Sequence, residues 1–199
     1  MRGLLQRPAI IHLIGFPGTG KYTIAKHMAA LQGGGEHRLV VVDNHYVSNP
    51  ILGVMDIDGV KAIDPAVWGY VRKVRLAVME AIRDLSPSTW SFAFTNVLLA
   101  GDPEDQAAPA RVAALADARD AAFVPVRLHC KVDELTRRAV SPQRNERLKW
   151  TDGEAVRAMA ESRTLVDVAH PNTLDLDVTD VQPEVAARLV LEHAAKVSA

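Results

Sequence analysis

Gly15, Gly20 and Lys21 stand in the spacing G-x-x-x-x-G-K within Gly15-Phe16-Pro17-Gly18-Thr19-Gly20-Lys21-Tyr22-Thr23. This spacing suits the gripping of phosphate oxygens. Successive backbone N–H groups curl around the anion, and glycine is needed where a side chain would block the approach or where φ is positive. A helix beginning near Gly20 adds the positive end of its dipole, and Lys21 reaches the outer phosphates as a point charge. The plainer reading, a glycine-rich strand-to-helix turn with an incidental lysine, is disfavoured by the flanking residues. In one respect the stretch departs from the pattern. Where a small hydroxyl for Mg²⁺ is expected stands Tyr22, and the first such hydroxyl is Thr23. Phosphate binding is untouched by this, but the metal must then be carried by Thr23, Asp43 or water, or else nucleotide is bound without turnover.

Asp43 follows an apolar run and can accept a proton from a substrate hydroxyl or hold a metal-bound water. Its competing role is a turn or helix cap in the Asp43-Asn44 pair. His45 is a candidate hydrogen-bond partner for a substrate. Thr95 and Asn96 end another run where an acidic pair would otherwise stand; they can position a substrate or simply close a turn. Arg137, Arg138, Arg144, Arg147 and Lys149 form a basic stretch broken at Ser141-Pro142. Arginine forks suit transferring phosphoryl oxygens, and a basic flap that closes excludes water; the alternatives are a solvated loop or a nucleic-acid contact. Arg72, Lys73 and Arg75 oppose a valine stripe, as a solvated face would, with Arg75 able to reach an anionic substrate. Asp56 and Asp58 lack the third spaced ligand of a calcium loop.

The elements that must position these groups can be read from periodicity. Ile10 to Ile14 is a short β-branched run, a buried strand, and Ile24, Met28 and Leu31 lie on one face of the helix that follows, which stops at Gly33-Gly34-Gly35. Arg38 to Asp43 is a second strand, followed by a polar, Pro- and Gly-punctuated segment to Asp64. Val67, Val71, Val74, Val78, Ile82 and Leu85 are spaced 4, 3, 4, 4 and 3, a helix with one apolar face. Trp90 to Thr95 is a third strand, and an Ala-rich helix starts at Pro103 or Pro109 and runs to about Arg119. Phe123 to Cys130 is a fourth strand, and Asp133 caps a short helix through Ala139. Thr151 and Glu154 form a capping box for a helix to about Arg163. His170-Pro171-Asn172 is a turn before a fifth strand, Leu174 to Val178. Pro183 to Lys196 closes the chain as a helix, with Val185, Leu189 and Val190 among its apolar positions. Alternating strands and helices with near-continuous apolar strands argue for a parallel α/β sheet covered on both faces, with ligands at the carboxyl ends of its strands.

The 199 residues suit one globular domain, and 48% hydrophobic with 24% charged residues is ordinary for a protein with a real core. A net charge of −1 creates no general field for nucleic acid or an anionic membrane. The one cysteine, Cys130, excludes an intrachain disulfide and reads as a buried, inert thiol in a reducing compartment. With no apolar window approaching a membrane span and no signal-peptide core, a cytoplasmic location is expected.

Taken together, Gly15 to Thr23, Asp43, the arginine-bearing segment and the strand–helix alternation resemble the P-loop kinases of small molecules: the nucleoside monophosphate, shikimate, gluconate and chloramphenicol kinase or phosphotransferase group. The resemblance implies a three-layer α/β/α P-loop NTPase fold, a five-stranded parallel sheet of order 2-3-1-4-5, ATP on the loop and a short lid. It also implies a substrate insert at 44–64 and a lid at 137–150. By position it implies that Arg137 or Arg138 lies near adenine and phosphates, Arg144 near the transferred group, Asp43 at the acceptor hydroxyl and Thr23 near the α-phosphate. The expected activity is ATP-dependent transfer of a phosphoryl group to a hydroxyl of a small metabolite, nucleotide or antibiotic, with Mg²⁺ as companion ion. Two alternatives are a non-catalytic nucleotide-binding regulator and a 5′-hydroxyl polynucleotide kinase. No Asn-Lys-x-Asp is present for guanine, and no Leu-Ser-Gly-Gly or strand-three acid for a transporter ATPase.

Overall fold

The computed structural model describes residues 3–55, 64–140 and 152–198. Five parallel strands, β1 (Ala9–Ile14), β2 (Leu39–Asp43), β3 (Ser91–Asn96), β4 (Ala122–His129) and β5 (Leu174–Asp177), form one sheet in the order β2-β3-β1-β4-β5. Among the described residues seven helices connect them: α1 (Lys21–Gln32), α2 (Asn44–Leu52), α3 (Ala66–Leu85), α4 (Pro103–Ala118), α5 (Val132–Ala139), α6 (Gly153–Ser162) and α7 (Pro183–Val197). The expected three-layer fold and strand order are therefore observed.

Alternation along the strands divides the core in two. Ile11, Leu13, Ala93, Val124, Val126 and Leu128 face α1 and α7, meeting Ile24, Met28, Val190 and Leu191. Ile10, Ile14, Phe92, Phe94 and Phe123 face α3 and α4, meeting Met79, Ile82, Val112 and Leu115. A smaller cluster of Leu135, Ala139 and Val156 joins α5 and α6 to Phe16 in the loop after β1. Pro125 is tolerated inside β4 because pairing with β5 begins one residue later, at Val126.

Several local expectations are corrected. The segment after Asp43 opens as a helix, α2, despite Pro50 within it. In α3 the buried stripe runs Val67, Val71, Met79 and Ile82, and Leu85 in its last turn is 82% exposed. Pro109 lies inside α4, whose first residue is Pro103 and whose cap is Asp102. Asp133 sits in the first turn of α5 rather than capping it; the N-cap residue is Lys131. Asp152, accepting from the N–H groups of Glu154 and Ala155, caps α6 in place of Thr151. In α7, Val185 and Leu189 are exposed, and Ala186, Ala187, Val190, Leu191 and Ala194 are buried. Alanines there allow a close approach to α1. β5 alternates exposed aspartates with half-buried leucines, as an edge strand does. Of the expected lid, residues 137–139 belong to α5; Arg144, Arg147 and Lys149 lie outside the described residues, as do Asp56 and Asp58.

Candidate active site

β1 delivers the chain to the sheet's carboxyl edge, where the Gly15 N–H donates to the Asn96 carbonyl at 3.2 Å. Gly18 and Gly20 adopt φ values of 95° and 86°, in the left-handed region. A Cβ on Gly18 would stand 2.7 Å from the Leu135 carbonyl oxygen, so α5 rests directly on the loop backbone. Thr19 is buried, and its hydroxyl donates to the Phe16 carbonyl at 2.9 Å, bracing the turn from inside. Gly20 occupies the N-cap of α1, which has no side-chain cap and no acidic residue in its first turn. α4 and α6 differ: Asp102 and Asp152 take up their first N–H groups, and acids occupy their first turns. The amino end of α1 is thus left suited to an anion. Lys21 Nζ curls over the loop, 2.6 Å from the Gly15 carbonyl oxygen and 2.9 Å from that of Phe16. Pro17 is half-buried in the same turn, and Thr23 is exposed on the first turn of α1.

Tyr22 points toward α2. Its hydroxyl lies 3.2 Å from that of Tyr46, the rings meet edge to face at 6.3 Å, and Lys26 Nζ stands 5.8 Å from the Tyr22 ring centroid. The side chain at the magnesium position therefore links the first turns of two helices.

Asp43 ends β2 in register with Thr95, and Thr95 is in register with Leu13 on β1. The carboxylate is thus about 10 Å across the sheet from the base of the loop, at two strand spacings. It occupies the N-cap position of α2 without making a side-chain cap bond, so capping does not explain it. Instead the carboxylate, 3% exposed as a residue, accepts from the Thr95 hydroxyl, with His45 Nδ1 at 3.4 Å. Thr95 in turn accepts from the Asn44 N–H at 3.2 Å. Asn44 Oδ1 accepts from Arg75 at 2.7 Å and from the Asn96 amide at 3.2 Å, and Asn96 Oδ1 lies 3.0 Å from His12 Nε2. Asp43, Asn44, Arg75, Thr95 and Asn96 line one pocket, with Val42, Val47, Val78 and Phe94 as its apolar wall.

Arg75 is not the solvated residue that its exposed neighbours Arg72 and Lys73 are. It is half-buried, it forms no ion pair among the described residues, and burial lowers its pKa against the opposing pull of Asp105. The expected substrate group of Asp43, His45, Arg75, Thr95 and Asn96 is thereby brought together. Arg137 and Arg138 are placed otherwise. Arg137 is clamped by Glu134 at 2.7 and 2.6 Å and points outward, and Arg138 joins Glu134 to the carbonyls of Val178 and Thr179, tying α5 to the end of β5. These arginines hold the Glu134 carboxyl down at a pKa of about 2. Cys130 is half-buried beside them, and burial pushes its thiol up, which keeps it protonated and inert.

Mg²⁺ asks little of the protein when phosphates and water supply most of its ligands. Among the described residues no group of three His, Cys, Asp or Glu could hold a metal alone. Asp43 is a buried carboxylate and Thr23 an exposed hydroxyl on the first turn of α1, both oxygen donors of the kind that Mg²⁺ takes. His12 and Asn44 were not singled out from sequence as site residues. For His12 the signal was present, a lone polar side chain inside Ile-Ile-His-Leu-Ile, where a buried polar group needs a partner.

No protein-family model matches the chain, and no curated protein matches its sequence. Solved structures do match its fold. A gluconokinase from Sinorhizobium meliloti 1021 superposes with a TM-score of 0.62 at 17% identity, covering 97% of this chain and 95% of that one. The Mycobacterium tuberculosis APS kinase, solved with AMPPNP and APS, gives 0.58 at 15% identity over 94% and 97%. The Acinetobacter baumannii shikimate kinase, solved with shikimate, gives 0.52 at 15% over 93% and 92%. The chain has the fold of the small-molecule P-loop kinases.

Proposed function

We propose that this protein is an ATP-dependent phosphotransferase acting on a hydroxyl of a small, anionic molecule. The observation that carries the reading is the pocket that places the buried Asp43 carboxylate, oriented by Thr95, beside the half-buried Arg75. Asp43 accepts the proton of the acceptor hydroxyl as its oxygen bonds to the γ-phosphorus. The bond to the β-phosphate oxygen breaks, and ADP leaves with the electron pair. Lys21 and the loop N–H groups offset the charge on the phosphoryl oxygens, and the resemblance to the small-molecule kinases assigns Arg144, in the basic segment after α5, to the same charge. Asp43 or Thr23 would hold a Mg²⁺ ion that came with the nucleotide, and the ion would supply further charge neutralisation. Arg75 takes the acceptor's carboxylate or phosphate, and His45, 3.4 Å from the Asp43 carboxylate, hydrogen-bonds the substrate beside it.

A phosphoryl-transfer screen over sugar acids, phosphorylated metabolites and neutral polyols, with ATP and Mg²⁺, tests this. Turnover is expected only among the anionic acceptors, and turnover confined to neutral ones would remove Arg75 from the scheme. Tyr22 supports a second reading, nucleotide binding without turnover, because its phenol is engaged with Tyr46 where a metal-binding hydroxyl would stand. Calorimetry with ATP and GTP, each with and without Mg²⁺, separates the two. The regulator binds ATP equally in both conditions, and the kinase binds more tightly with the ion.

A further inference from the structure

His12 lies in β1 between Ile10 and Ile14, on the sheet face that packs against α3 and α4, and it is fully buried. Packing alone would be served better by an apolar side chain, because the imidazole brings polar atoms that must find partners. One of them, Nε2, lies 3.0 Å from Asn96 Oδ1; the other, Nδ1, has no hydrogen-bond partner among the described residues.

The far end of this chain of bonds sets its direction. A guanidinium has donors only, so Arg75 donates to Asn44 Oδ1 at 2.7 Å. The same oxygen receives the Asn96 Nδ2 donor at 3.2 Å, which turns Asn96 Oδ1 toward His12. An acceptor facing Nε2 requires the imidazole proton to be there, leaving Nδ1 as a bare lone pair. Burial drives the His12 pKa down to about 4, opposed by the Asn96 bond and helped by the charge on Arg75, so the ring stays neutral at physiological pH. Asn96 is pinned at its other side too, since its backbone carbonyl accepts the Gly15 N–H at 3.2 Å.

We propose that His12 is a positioning residue of the acceptor pocket: as a fixed Nε2–H donor it orients Asn96, which orients Asn44, which holds the Arg75 guanidinium toward the acceptor's anionic group. The proposal rests on the phosphotransferase reading for its purpose, but its geometry is testable without any turnover. A purely structural histidine would fill space and leave Arg75 indifferent to its proton.

Nitrogen-15 NMR on the full chain with labelled histidine and arginine decides the matter. His12 is expected as the Nε2–H tautomer, with no titration between pH 5 and 8; an Nδ1–H tautomer would overturn the chain of donors. In His12→Phe, exchange of the Arg75 Nη protons with water should accelerate at least tenfold, while affinity for AMPPNP stays within twofold because the loop is intact. His12→Gln, which restores an amide donor, should bring exchange back to within threefold of the parent. Unchanged exchange in His12→Phe, or no rescue by glutamine, would refute the link. If His12→Phe does not fold, Asn96→Ala removes the link between His12 and Asn44 while leaving Arg75's own acceptor in place, and it must show the same tenfold acceleration; if it does not, the proposal fails. Because no readout involves phosphoryl transfer, failure of the relay and failure of the proposed activity are seen separately.

Discussion

The loop from Gly15 to Thr23 and the pocket beside Asp43 share one sheet edge but are made of different material. The loop is a backbone object. Its shape comes from Gly18 and Gly20 at positive φ, and its binding groups are main-chain N–H donors plus Lys21. The pocket is a side-chain object, assembled from β2, α2, α3 and β3 and kept in order by hydrogen bonds among Asp43, Thr95, Asn44, Asn96, Arg75 and His12. A backbone site depends on conformation and has a spacing that can be recognised. A side-chain site depends on which donors meet which acceptors, and one substitution can reorient several groups.

The sharpest break between the two regions is Asp43→Asn. Transfer should fall by about 10²–10⁴-fold, the contribution of a general base, with affinity for ATP in the absence of Mg²⁺ within about twofold of the parent by calorimetry. Rates equal to the parent would end the assignment of Asp43 as base. Gly18→Val attacks the other region. A non-glycine residue at φ 95° whose Cβ would lie 2.7 Å from the Leu135 carbonyl should lose about 2–5 kcal/mol in urea unfolding, from backbone strain and overpacking together.

Acid separates the regions without mutation. The unfolded His12 takes a proton near the ordinary histidine value of 6.5, and the folded one resists until about 4. In that window the unfolded chain binds more protons, so this residue's contribution is present above 6.5 and falls as pH drops, by up to about 1.4 kcal/mol per pH unit. His12→Gln should flatten that part of the stability–pH curve. Arg75→Leu should raise the acceptor KM by about 10–150-fold, the worth of a hydrogen bond to a charged group, leaving the ATP KM unchanged. The smallest effect is expected from Glu134→Gln, which loosens Arg137 and Arg138 on a partly exposed helix and should cost under about 1 kcal/mol by thermal unfolding.

How much could be read from sequence follows the same division. β1, the loop and α1 were legible because glycine spacing and a β-branched run leave few conformations open. α2 was not: Asn44 to Leu52 carries Pro50, Val47 and three residues that favour turns, Asn44, Ser48 and Asn49. It is helical because packing of Val47 and Ser48 overrides weak propensity. The stripe on α7 was misplaced because alanine looks neutral in a hydrophobicity pattern, although Ala186, Ala187 and Ala194 are the residues that allow close packing. Asp43 was legible as a candidate from its place at a strand end, whereas only the structure shows that it makes no side-chain cap bond and accepts from Thr95 instead. His12 and Asn44 are parts of a network whose members are separated by up to 84 residues, and no local pattern announces such a meeting.

The contact at Gly18 has a mechanical meaning. With the Leu135 carbonyl where a Cβ would be, no slack lies between loop and helix, and Arg138 clamps that helix to the end of β5. The glycine loop and the platform bearing Arg137 and Arg138 therefore behave as one part on one bearing. A tilt of α5 is felt by the loop, and a load on the loop is carried through α5 to the far edge of the sheet.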